Sequence, residues 1–193
     1  MNEGPTKTPE QSEAERRLAP RIYVASLSDY NAGRLHGRWI DAARPAEELH
    51  ADIQAMLERS PEPIAEEWAI HDYEGFGLLR LDEYEDLATV SAVATGIMLY
   101  GPPYAAWASL ESPTLERLAR FQEAFQGTWP SVVSYADDYF DNIGAAEALA
   151  QLPDWLQAHI KLDIEGFARD LQLGGDIIVV EDGDQVHIFD GYV

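Results

Sequence analysis

Thirty-five Asp and Glu side chains dominate the chemistry open to this 193-residue chain. Asp137, Asp138 and Asp141 could together offer oxygen ligands to a hard cation. Their spacing fits an exposed acidic helix face better, and that is the reading adopted. Glu181, Asp182 and Asp184 look like a fragment of a calcium loop without the full ligand frame such a loop requires. Two carboxylates could also work as acid and base in glycoside hydrolysis. In a chain this acidic, however, a suitable pair can be found almost anywhere. The five histidines, His36, His50, His71, His159 and His187, are scattered and show no paired metal spacing. Neither a G-x-S-x-G elbow, a P-loop nor a G-x-G-x-x-G turn is present. Tyr100, Tyr104 and Trp107 stand close to Pro102-Pro103 and could line a pocket, but aromatics at this spacing belong more often to a core or an interface. The side chains therefore point away from catalysis, and no metal or cofactor is expected.

Charge is the informative property. The net charge is −22, from 35 acids against 13 bases. From Glu47 to Asp86 there are 13 acids against Arg59 and Arg80, and from Asp137 to Val193 there are 13 against Lys161 and Arg169. Between these blocks the chain is almost neutral. Self-repulsion at this density destabilises a compact fold. One explanation is solubility, which would spread acid more evenly. The sharper one is a surface that copies a polyanion. Duplex DNA carries one charge per about 1.7 Å, so this net charge matches about 37 Å of duplex, roughly 11 base pairs. Nucleic-acid binding itself is opposed, because neutralising phosphates requires a basic face. The four arginines at 21, 34, 38 and 44 are too few to supply one.

The acids need elements to hold them. A hydrophobic fraction of 46%, with five Trp, nine Tyr and six Phe, is enough for a core. There is no Cys, so no disulfide and no thiolate site is expected. Residues 87–100 are too short to span a membrane, and the N-terminus has no apolar signal region. A cytoplasmic protein without a membrane partner is expected. Residues 1–20 read as a flexible extension. Strands are expected at 21–27 and 35–40, with a loop at 28–33 between them. A helix over 45–59 has Leu49, Ile53, Met56 and Leu57 on one face and Glu47, Glu48, Asp52 and Glu58 away from it. Residues 60–63 break the chain before a short strand at 67–71. A helix over 82–100 would be capped by Asp82, and another follows Pro102. Residues 113–126 read as one amphipathic helix with Leu115, Leu118, Phe121 and Phe125 inward, stopped by Gly127. Helices are also expected at 131–140, at 145–160 with an interruption at Pro153, and at 163–173. A terminal hairpin, 176–180 and 185–189, turns at Asp182-Gly183.

The expected fold is α+β, an elongated chain of small subdomains with antiparallel strands at both ends and helices in the middle. The subdomains expected are 21–80, 81–127 and 128–193.

Four separate segments, in order, resemble the ArdA antirestriction family. IYVASLSDYNAGRLHGRW, at 22–39, is similar to the opening of those proteins. EEWAIHDYEGF (66–76) resembles the segment after their first helix, and FQGTWPSVVSYA (125–136) their central segment. LPDWLQAHIKLDIEGFARDL (152–171) resembles the antirestriction motif, which carries over onto Leu152, Pro153, Leu156, Asp163, Glu165, Phe167, Arg169, Asp170 and Leu171. The chain departs from that pattern at His159 and Lys161. The resemblance implies a homodimeric mimic of bent B-form DNA that occupies the DNA-binding groove of type I restriction-modification enzymes, without catalysis. On that reading the mimicking surface comprises Glu47, Glu48, Asp52, Glu58, Glu62, Glu66, Glu67, Asp82, Glu83, Glu85, Asp86, Asp137, Asp138 and Asp141. The motif segment is placed at or near the dimer interface, where Leu149, Leu152, Leu156 and Ile160 form a stripe. The other readings are an acidic adaptor for some other basic protein and an acidic hydrolase.

Overall fold

The computed structural model describes residues 19–193, and the reading of residues 1–18 as a flexible extension lies outside them. Ala19 and Pro20 are described. Pro20 is buried, and its carbonyl accepts a hydrogen bond from the Ala42 amide at 2.9 Å. Among the described residues the architecture is α+β, with two three-stranded antiparallel sheets and ten helices. The chain divides into two compact units, one ending at Ala119 and the other spanning Arg120–Val193.

In the first unit, β1 (Arg21–Ser26) is the central strand between β2 (Gly37–Asp41) and β3 (Trp68–Glu74). Its β-branched residues suit a pleated, buried surface, and Ile22, Val24 and Ala25 are fully buried. Ile22 faces Ile40 on β2, and a bulge opposite β3 falls between Tyr23 and Val24. Ser26 ends the strand and caps α1 (Leu27–Asn31), accepting the Asp29 amide on its side chain. The expected loop is thus a one-turn helix, stabilised by a cap that occupies the last strand position. Helix α2 (Ala46–Leu57) buries the expected stripe, Leu49, Ile53, Met56 and Leu57, and packs against β2 and α3 (Leu87–Tyr100).

Asp82 is not the cap of α3. Asp86 accepts the Thr89 amide at 2.9 Å, and the helix begins at Leu87. Helix α4 (Pro102–Ser109) follows Gly101 and packs on α3, where Gly96 leaves the space the Tyr104 ring occupies. A Cβ there would collide with that ring. Tyr104 and Trp107 belong to the core, donating to the carbonyls of Leu118 (3.4 Å) and Arg117 (3.1 Å).

The single helix expected over 113–126 is instead α5 (Leu115–Ala119), α6 (Phe121–Ala124) and β4 (Phe125–Trp129). Leu115 is exposed, and Phe125 lies in the strand. Gly127 does not stop a helix. It sits inside β4 at φ +134°, a conformation open to glycine, beside a bulge opposite the last strand. In the second unit β4 pairs with β6 (Gln185–Asp190), which pairs with β5 (Ile177–Asp182) in the expected hairpin; its turn is Gly183-Asp184, one residue later than expected, because Asp182 still pairs with Gln185. Phe121, Phe125 and Phe189 form the core of this sheet, with centroids 5.1 to 6.4 Å apart. Helices α7 (Val132–Asn142), α8 (Ala145–Ala150), α9 (Asp154–Gln157) and α10 (Ile164–Gly174) complete the unit, and α10 packs on α7 and β5.

No helix of the described residues is long and apolar enough to cross a membrane.

Candidate functional site

Helix α2 turns its apolar stripe to the sheet, which sends Glu47, Glu48 and Glu58 to solvent. Three of the acids expected on this surface are already answered by cations of the same unit. Arg44 donates to Asp52 at 2.5 Å and lies 3.6 Å from Glu48, Arg38 reaches Asp52 at 3.5 Å, and Arg34 pairs with Glu62. The hydrogen bond from Arg44 holds the Asp52 carboxyl below its usual range against the opposing effect of burial. The N-terminal arginines therefore neutralise Glu48, Asp52 and Glu62 within the fold.

Asp29 was not singled out by its sequence position, and it is the most enclosed acid of the unit. Burial pushes its pKa up, but hydrogen bonds from Ser60 (2.5 Å) and the Ser26 side chain, with the charges of His36 and Arg34, hold it below the ordinary value. Its partners bind the first helix to the segment after α2, so its role is to fix the fold.

The remaining acids are placed differently. Glu47, Glu66, Glu67, Glu85 and Asp86 converge on one open groove of about 850 Å³. The start of α2 supplies Glu47 and His50, the approach to β3 supplies Glu66, Glu67 and Trp68, and the loop into α3 supplies Tyr84, Glu85 and Asp86. Asp82 and Glu83 are exposed just outside it. Among the described residues no ion pair engages Glu47, Glu58, Glu66, Glu67, Asp82, Glu83, Glu85 or Asp86.

In the second unit, Asp137, Asp138 and Asp141 are exposed on α7, again in no ion pair among the described residues. Asp137 and Asp141 are one turn apart, about 6 Å along the axis, while Asp138 accepts from the Asn142 amide at 2.7 Å. This helix carries no basic residue in its last turn, so Asp138 and Asp141 sit at the end where the helix dipole disfavours negative charge.

The 152–171 segment is built on caps and one aromatic anchor. Pro153 starts α9, and Leu152 gives its carbonyl to Gln157 at 2.7 Å. Asp163 caps α10 by accepting the Gly166 amide at 2.9 Å, with Glu165 in the first turn. A Cβ at Gly166 would strike that carboxylate. Phe167 packs on Tyr139 and Phe140 at 5.6 and 4.9 Å. Leu149, Leu152, Leu156 and Leu171 are only half-buried, Arg169 and Asp170 are exposed, and Trp155 and Ile160 are 71% and 37% exposed. The expected stripe is thus incompletely covered by its own unit.

Elsewhere, His187 is buried between Thr128 (2.9 Å) and Asp182 (3.3 Å), which ties the three strands of the second sheet together. Glu181 and Asp182 end β5, paired with Val186 and Gln185, and Asp184 lies in the hairpin turn. Among the described residues no three His, Asp or Glu side chains converge to hold a metal ion.

A sequence-family model described as "Antirestriction protein (ArdA)" matches residues 22–185. No curated protein matches the chain.

Proposed function

From the premise that this chain belongs to the ArdA family of antirestriction proteins, we propose that it acts as a mimic of B-form DNA, occupying the DNA-binding groove of a type I restriction-modification enzyme. One observation carries this reading beyond family membership. Eleven of the fourteen acids assigned to the mimicking surface engage no cation of the described residues, and eleven of the fourteen are exposed. Acids kept only for stability are paired or stand at helix N-termini, as Glu47, Glu48 and Asp86 of this set do. Here Glu58 caps a helix C-terminus and Asp141 lies in a last turn, where each costs rather than stabilises.

Mechanism follows from counterion physics. An enzyme that binds DNA gains affinity by releasing cations condensed on phosphates. Fixed carboxylates on a folded surface offer its basic groove a comparable charge density. Because the fold already holds them, little ordering entropy is lost on binding. The chain performs no reaction of its own.

The functional unit is a homodimer, with the segment 145–171 at or near its interface. The support is apolar surface: α8 and α9 contain no fully buried residue, and Trp155 stands exposed beside the half-buried Leu149, Leu152 and Leu156. Such a surface is unfavourable in water and can be covered across a two-fold axis. Competition between the protein and duplex DNA for a purified type I enzyme tests the mimicry. Displacement of the duplex is expected; simultaneous binding of duplex and protein would overturn the reading.

A further inference from the structure

We infer that the groove between the start of α2, the start of β3 and the loop into α3 is a receptor for one arginine side chain of a protein partner. This rests on the DNA-mimic reading, under which the partner presents a basic surface. Within its own fold the first unit twice sets an arginine against both an aromatic ring and a carboxylate. The Arg21 guanidinium lies 4.7 Å over the Trp39 ring and pairs with Glu74 at 2.6 Å. The Arg117 guanidinium lies 4.4 Å over the Trp107 ring, 3.8 Å from Glu111. Each is an aromatic face beside a carboxylate, with the cation between them.

The groove repeats the receiving half of that arrangement without a cation. Trp68 and Tyr84 line it, surrounded by Glu47, Glu66, Glu67 and Glu85, and neither Lys nor Arg is among the lining residues. Among the described residues neither ring stacks on another aromatic or on a guanidinium. Tyr84 is 70% exposed. A guanidinium satisfies this site better than an ammonium. It is flat and weakly hydrated, stacks on an aromatic face and presents parallel N–H donors to carboxylates. The apolar part of the lining, Leu27, Ala46, Leu87 and Ala88, removes water from one side of the cation, which strengthens attraction that is weak at fully exposed acids. This groove is accordingly a focal point within an otherwise distributed acidic surface.

The full-length protein is titrated with N-acetyl-arginine amide and followed by nuclear magnetic resonance. The expected result is saturable binding at one site, with shifts confined to the groove. Trp68→Ala and Tyr84→Ala should each weaken it about five- to tenfold. Tyr84→Ala alters only an exposed loop side chain and so guards against misfolding of the Trp68 variant. Glu147→Gln, which removes one charge from the second unit, should leave it unchanged. N-acetyl-lysine amide should bind more weakly. Non-saturable shifts, equal binding by the lysine compound or by spermidine, or indifference to both aromatic substitutions would overturn the assignment. Displacement of duplex DNA from a type I enzyme is measured in parallel. Arginine binding without displacement would leave the groove standing and remove the mimicry, whereas displacement without saturable arginine binding would remove the groove alone.

Discussion

Asp52 and Asp86 are both acids of the expected mimicking surface, and their neighbours give them different duties. Asp52 is held by Arg44 and Arg38, and its lowered pKa means that the folded state favours the ionised form. That stability is present above the ordinary carboxylate value of 3.8 and is lost as pH falls through the lower folded value. Asp52→Asn is therefore expected to cost on the order of 1 kcal/mol or less at neutral pH. The gap to wild type should close in acid, as followed by chemical denaturation at pH 7 and below pH of about 3. A gap that persists unchanged in acid would contradict the ion-pair role. Asp86 joins a helix cap to an acidic groove. Asparagine caps as well as aspartate, so Asp86→Asn should leave stability near wild type, whereas Asp86→Ala should cost about 1 kcal/mol. Any loss of inhibition common to both would then report the charge. Equal stabilities of the two variants would show that the cap contributes nothing. The acidic character of both positions was legible in the sequence. The cation beside Asp52 was not, because Arg38 and Arg44 reach it from β2 and the loop that follows.

Among the elements, two helix ends hold acids at a cost in stability. Glu58 at the end of α2 and Asp141 at the end of α7 oppose the helix dipole, and neither last turn contains a base. Glu58→Gln and Asp141→Asn are each expected to raise stability by about 0.3–1 kcal/mol while weakening displacement of duplex DNA. Thermal unfolding beside the displacement assay checks this, and variants that gain neither stability nor lose activity would show that these charges are idle. Elements with a strong period were readable. The stripe Leu49, Ile53, Met56 and Leu57 identified α2. Where local pattern and tertiary pairing compete, pairing wins. Residues 113–126 show a convincing helical period, yet Phe125 is drawn into the second sheet opposite Phe189. The aromatic and β-branched pair Thr128-Trp129 was the one local sign of that strand. Asp82 and Asp86 both precede an apolar run, and only the geometry of the Thr89 amide chooses between them. The groove was legible only as a list of acids. Its three walls come from segments far apart in the chain, which no spacing rule joins.

For the whole molecule, the decisive quantities are oligomeric state and charge. If the exposed apolar residues of 145–171 meet a second copy, Trp155→Ser with Ile160→Ser should shift the protein toward monomer in sedimentation at micromolar concentration. The monomer's own unfolding should change little, since both side chains are already exposed. A dimer that survives the double substitution would place the interface elsewhere. The central claim is that a net charge of −22 stands in for phosphates. Its most direct test compares wild type with a variant carrying Gln at Glu47, Glu58, Glu66 and Glu83, all exposed and in no ion pair among the described residues. Glu48 and Asp52 are excluded from that set because Arg44 already engages them. Each protein competes against duplex DNA for a type I enzyme at low and at raised salt. DNA mimicry predicts that salt weakens wild-type binding, because ions compete for the basic groove. It also predicts that the variant binds more weakly at low salt and depends less steeply on salt, by up to about one unit of slope per carboxylate removed. Equal affinity of the two proteins at both salts, with the fold intact, would leave this acidic face without a part in mimicry.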